Sequence, residues 1–316
     1  MRFLIVFLLL VGNAYAKLNI QHWITPEGAK VLFVQTKDLP IVDVSAVFDA
    51  ASSRDGEHYG LATLTNNLMG TATQYHNEEQ IIHAFESLGA QFSSSSLKDM
   101  SLISLRTLSR EPVLRKSLNI FTEVITQPNF KQRYLTRAKR QTLQSIRASK
   151  QSPASVASTA FNKAVFGEHP YAHETIGTQS TIKEITTQDV KRHYQQFYVA
   201  KNLTIALVGD ISRAKAKQIA RQISHGLNMG EKTKTNPVVK PLKQAQTLHI
   251  DFPSKQTHLR IGQTGINRTH PDYYSFYLGN HILGGSGLTS LLSDEIREKK
   301  GLAYSVYSYF SKMQSN

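Results

Sequence analysis

Residues 284–305 read Gly284-Gly285-Ser286-Gly287-Leu288-Thr289-Ser290-Leu291-Leu292-Ser293-Asp294-Glu295-Ile296-Arg297-Glu298-Lys299-Lys300-Gly301-Leu302-Ala303-Tyr304-Ser305. An earlier stretch follows the same plan: a helical pattern over Glu78 to Leu88, then Gly89-Ala90-Gln91-Phe92-Ser93. In each, a glycine stands where a helix can end in a left-handed turn, and a strand-like segment follows. One helix–glycine–strand unit appearing twice at wide separation points to internal duplication.

Working outward, Lys30 to Gln35 and Ile41 to Phe48 read as strands, and Gly56 to Leu68 as a helix. Ala90 to Ser96 and Met100 to Leu108 read as paired strands, turning at Lys98-Asp99. Helical spacing covers Val113 to Ile125, Gln132 to Ser149, Ala154 to Val165, Thr187 to Phe197 and Arg213 to His225. Gly167 to Thr178 reads as a loop and Asn202 to Val208 as a strand. Strands grouped apart from helices predict α+β. Between 228 and 246 apolar periodicity gives way to charge, Gly and Pro, the pattern of a linker. The plan then restarts, with strands at Leu248 to Phe252 and His258 to Gly262 and helices at Asp272 to Leu283 and Leu288 to Glu298. The expected organisation is tandem: a first domain over 17–227, a linker over 228–246 and a truncated second copy over 247–316.

Residues 1–16 carry the marks of a signal peptide. Arg2 gives the positive start, Phe3 to Val11 the apolar run and Ala14-Tyr15-Ala16 the small-x-small cleavage site. The mature chain is expected to begin near Lys17 and to be exported, periplasmic or secreted, with no transmembrane segment. The chain has 37 basic and 23 acidic residues, a net charge of +14, and no cysteine. Disulfides and thiolate metal sites are thereby excluded. Export and the scatter of the basic residues argue against nucleic acid. The densest basic run is Lys131, Arg133, Arg137, Lys139, Arg140, Arg147 and Lys150. It reads first as the wet face of an amphipathic helix, and otherwise as a surface for an acidic protein or an anionic membrane.

Several ordered segments resemble the pitrilysin/insulinase zinc peptidases, the inverzincins. They are Gly60-Leu61-Ala62, Phe166-Gly167-x-His169-Pro170-Tyr171, Ile176-Gly177-Thr178-x-x-Thr181-Ile182, His193-Tyr194-x-x-x-Tyr198 and the glycine-rich start leading to Arg297 and Tyr304. The resemblance implies tandem metallopeptidase-like domains, and a family in which a catalytic subunit is paired with a non-catalytic one. It places the family's H-x-x-E-H motif on Thr63-Leu64-Thr65-Asn66-Asn67. The two His positions are then Thr63 and Asn67, the general-base position is Asn66, and the further Glu ligand falls at Gln144. Zinc takes imidazole, thiolate or carboxylate ligands, so a hydroxyl and neutral amides do not hold it comparably. All four residues are polar and uncharged, and are expected to line a wet surface. Arg297 and Tyr304 match the family's substrate-binding Arg and Tyr. A phenol there stabilises an oxyanion and a guanidinium fork grips peptide carbonyls or a carboxylate. Read alone, Arg297 belongs to a solvated helix end and Tyr304 to a half-buried strand. Gly301 is expected to take the left-handed turn, with Tyr304 starting a strand.

Other constellations carry less. His169 and His173 flank Pro170 in a loop, which breaks helical ligand spacing. His83-x-x-Glu86 lacks a second histidine, and Gly284–Gly287 is followed by no P-loop Lys-Ser/Thr. Ser93 to Ser96, a strand of small side chains, suits close approach by an extended peptide. The expectation is a non-catalytic subunit, with no metal of its own, that joins a zinc-bearing homologue to act on peptides. The alternatives are a stand-alone peptide-binding or scaffold protein, and a zinc peptidase with an unrecognised ligand set.

Overall fold

A computed structural model describes residues 19–315, so the signal peptide read at 1–16 lies outside the described residues. Strand β3 (Ile41–Phe48) buries Val42, Val44, Ala46 and Phe48 while its alternate residues face outward. The same period-two burial recurs in β2 (Lys30–Gln35), β5 (Ser101–Leu108) and β6 (Leu203–Gly209), so one sheet face is apolar. With β1 (Gln21–Ile24) and β4 (Gln91–Ser96) they form a six-stranded sheet in the order β1-β2-β6-β3-β5-β4. Only β2 and β6 are parallel neighbours; β3 pairs antiparallel with β6 and β5, Ser45 lying opposite Ala206 and Ser104. β4 is left as an edge strand.

Helices cover the apolar face. They are α1 (Leu61–Leu68), α2 (Glu78–Glu86), α3 (Glu111–Thr126), α4 (Gln132–Lys150), α5 (Pro153–Phe166), α6 (Gln179–Glu184), α7 (Thr187–Phe197) and α8 (Arg213–His225). α1 packs on β4, β5, α4 and α7, and α8 packs on β2 and β6. Phe33, Phe48, Phe121 and Leu64 are fully buried between the layers, each contributing about 1.5–3 kcal/mol.

Sequence and structure differ at several points here. β1 and α6 have too few residues to show a period; α6 is fixed instead by a capping box between Thr178 and Thr181. The helix expected from Gly56 starts only at Leu61, because Gly56 and Gly60 adopt φ of +57° and +95°, outside the right-handed helical region.

The larger departures lie beyond residue 246. Neither Leu248–Phe252 nor His258–Gly262 forms a strand, and Tyr304 lies in irregular chain. Strand propensity is realised only when a neighbouring edge accepts the hydrogen bonds, and among the described residues neither segment pairs with one. Their apolar side chains stay in solvent, with Ile261 86% exposed. The expected helices form in part. α9 (Tyr273–Asn280) runs into a π-type turn through Gly285, and the 288–298 segment divides into a 3₁₀ turn (Gly287–Thr289) and a π-type turn (Ser293–Lys299). Between 228 and 245 the chain has no helix or strand but is held to the first domain. Thr233 donates to Asn202 Oδ1 and Asp49 Oδ2, and His169 Nε2 lies 2.9 Å from the Pro237 carbonyl.

Candidate functional site

Helix α1 starts where a carboxylate waits for it. Asp55, buried, accepts hydrogen bonds at 2.8 Å from the backbone N–H groups of Gly60 and Ala62. These are orphan donors at the positive end of the helix, so a negative charge there is favourable. His173 Nε2 lies 3.3 Å from Asp55 Oδ2, and its ring stacks on Tyr59 with centroids 4.2 Å apart. The loop before α6 thereby closes over the start of α1. Gly177 makes that closure possible: φ is +75°, and a Cβ there would lie 2.1 Å from the Tyr59 carbonyl oxygen.

This closure decides the surroundings of the residues matched by resemblance to the metal positions. Thr63 is buried and its Oγ1 donates to the Thr175 carbonyl at 2.7 Å. Asn66 is fully buried; its Nδ2 sits 3.4 Å from the Tyr198 hydroxyl, and its Oδ1 has no partner among the described residues. Only Asn67 and, on α4, Gln144 are exposed. The expectation that all four line a wet surface therefore fails for Thr63 and Asn66. The first is covered by the loop at 175, the second faces α7 and its following tyrosine. The donor set does not fit zinc: two amides and a loop-bonded hydroxyl supply neither charge nor imidazole. Among the described residues no cluster of three or more His, Asp or Glu could hold a metal.

Below α1 the environment is dry. Burial pushes the Tyr198 and Tyr194 phenols above their ordinary range. Burial pushes the His193 imidazole, 3.1 Å from the Ala50 carbonyl, below its ordinary value. The roles of Asp55 and Tyr198 were not read from sequence. The Tyr198 motif was visible, but a tyrosine 132 positions from Asn66 announces no contact.

The turn at Lys98-Asp99 gathers distant chain. Lys98 Nζ donates to the carbonyls of Tyr171 and His173, and burial lowers its pKa. Asp99 accepts from the Tyr171 hydroxyl at 2.6 Å, Asn236 Nδ2 at 3.0 Å and the Gln314 N–H at 2.8 Å.

Arg297 and Tyr304 are brought together: the guanidinium carbon stands 5.5 Å from the phenol ring centroid. Gly301, at φ +59°, reverses the chain between them, with Gly301 N–H bonded to the Arg297 carbonyl and Leu302 N–H to that of Ile296. Tyr304 is 91% exposed, and Arg297 has one acidic neighbour, Glu298, at 3.3 Å. No hydrogen bond or ion pair among the described residues joins either side chain to α1 or α4. Tyr304 is presented to solvent, whereas the Arg297 side chain is partly covered, 29% exposed, beside Glu298.

Two family profiles match the chain, meeting between residues 179 and 184, inside the sheet domain. Residues 30–179 match the profile of insulinase, peptidase family M16, and residues 184–315 that of the peptidase M16 inactive domain. The crystal structure of a peptidase M16 inactive domain from Pseudomonas fluorescens is 41% identical and superposes with a TM-score of 0.90, over 94% of this chain and 72% of that one. The non-peptidase homolog YmxG of Helicobacter pylori is 26% identical, over 99% of this chain and 72% of that protein. A protease from Helicobacter pylori, 21% identical, shares the fold with a TM-score of 0.80 over 94% of this chain and 73% of that one.

Proposed function

Because this chain belongs to peptidase family M16, the insulinase family, while its zinc positions hold Thr63, Asn66, Asn67 and Gln144, we propose that it is the non-catalytic subunit of an exported, heterodimeric zinc peptidase. The partner is a homologous H-x-x-E-H chain that carries the zinc, and the substrates are peptides in the periplasm or outside the cell. No helix among the described residues is long and apolar enough to cross a membrane.

The observation that carries this reading is the asymmetry between the two sites. Thr63 and Asn66 are committed to packing, whereas Arg297 and Tyr304 stand together with Tyr304 in solvent. A phenol near the developing oxyanion donates a hydrogen bond strongest in the transition state, and so lowers the barrier rather than merely holding the substrate. The Arg297 fork positions the peptide through paired N–H donors. Neither residue performs hydrolysis alone, so both act on a bond attacked from the partner's side.

The test is reconstitution. The purified chain and the H-x-x-E-H homologue encoded nearest to it are assayed separately and mixed, on a quenched fluorescent peptide with and without a chelator. Chelator-sensitive cleavage that requires both chains is expected. Cleavage by this chain alone, stopped by chelation, overturns the reading. A second reading, a stand-alone peptide-binding protein, is favoured by the free edge of β4, whose Ser93–Ser96 segment could take an added strand. Tight peptide binding without any co-purifying homologue would support it.

A further inference from the structure

Helix α4 has no acidic residue, and its arginines fall on one side. At 100° per residue, Arg133, Arg137, Arg140, Gln144 and Arg147 lie within a sector of roughly 80°. Tyr134, Leu135, Thr142 and Ile146 on the opposite side are buried. The stripe is about 21 Å long at 1.5 Å per residue. Two of its arginines are already engaged: Arg137 pairs with both carboxylate oxygens of Glu78, and Arg133 bonds the Tyr134 hydroxyl at 2.7 Å. Arg140 and Arg147 are exposed and make no hydrogen bond or ion pair with any described residue. They flank Gln144, the position matched to the missing carboxylate ligand. Where an active family member needs negative charge to hold a cation, this chain presents two open guanidinium groups.

We infer that the face of α4 around Gln144 is a binding surface for acidic segments of extended peptides, which Arg140 and Arg147 grip through their carboxylates. This rests on the peptide-handling role proposed above and adds its substrate class. Arg140 and Arg147 stand about 10 Å apart along the helix, between the roughly 7 Å and 13 Å that separate same-face side chains two and four residues apart in extended chain, a difference within the reach of two long arginine side chains. Guanidinium forks match carboxylates bidentately. An anionic membrane fits less well. Glu78 of α2, paired with Arg137, puts a carboxylate in the stripe itself; a flat bilayer meets that charge too, whereas one peptide strand follows the open arginines alone.

The mature chain, without any partner, is titrated into a fluorescein-labelled twelve-residue peptide of alternating glutamate and serine, and into its glutamine–serine counterpart, at low ionic strength. The acidic peptide is expected to bind about tenfold tighter, the upper range for two exposed ion pairs, and to lose that margin as salt is raised. Arg140→Gln with Arg147→Gln abolishes the preference. Lys217→Gln with Arg221→Gln, which removes the same charge from exposed positions on α8, leaves it intact; thermal melts confirm that both variants fold. Equal loss in the two double variants shows only net charge and overturns the inference. So does the absence of a glutamate preference, or capture of phosphatidylglycerol vesicles through Arg140 and Arg147 without one. Because no partner or cleavage is involved, these outcomes are independent of reconstitution. An inactive mixture that keeps the preference sinks the subunit reading alone, and an active mixture without it sinks this one.

Discussion

Two short segments of this chain, 61–68 and 297–304, are the ones proposed to correspond to the two halves of one chemical apparatus, and the structure treats them in opposite ways. The first is absorbed: Asn66 is fully buried, Thr63 is bonded to a loop, and α7 closes from beneath. The second is held out: Tyr304 is almost wholly in water beside Arg297. A residue released from holding a metal obeys the rules of any interior position, filling volume and finding hydrogen bonds. A residue that packs against nothing owes its identity to something other than the fold. That contrast makes the open pair the better guide to function.

The sharpest way to break the contrast is at Tyr304. Removing its hydroxyl with Tyr304→Phe should lower kcat of the reconstituted complex on the order of 10²-fold, with an unchanged melting temperature for the isolated chain. Unaltered turnover would return Tyr304 to the status of a surface aromatic. On the buried side the expectation is reversed. Gly177→Ala drives a Cβ into the Tyr59 carbonyl at a positive φ and should cost about 3 kcal/mol in chemical denaturation. An effect below about 0.5 kcal/mol would mean that the loop over α1 is not fixed by that glycine. The smallest effect is acid sensitivity. His193 has its folded-state pKa lowered by burial, so its neutral form favours folding. That contribution is complete above the unfolded value of about 6.5 and is lost as pH falls toward the lowered folded value. The melting temperature should drop more steeply between pH 7 and 5 in the native chain than in His193→Gln; parallel slopes would remove His193 from the account.

Much of the first domain was legible because its patterns are long or strongly alternating. β3 and β2, and the helices over 187–197 and 213–225, appear as read, since their burial period matches the sequence period. The short elements β1 and α6 were not legible, as four or six residues show no period and their partners are remote. The apolar runs at 248–252 and 258–262 failed in the other direction. Their composition favours strands, yet strand formation belongs to a pair of segments and not to one. At the site, Thr63, Asn66, Asn67 and Gln144 and the pair Arg297 and Tyr304 could be singled out from sequence as candidates. The burial of Asn66 could not, because it depends on where Tyr198 arrives after folding.

Asp99 has a mechanical consequence. Its two oxygens receive Asn236 and Gln314, so the stretch between those residues is anchored at both ends on one hairpin tip. It is a closed bight and not a dangling tail. Losing that carboxylate would weaken both anchorages together, leaving the Tyr171 hydroxyl to hold Ser315 and Ser158 to hold Arg260.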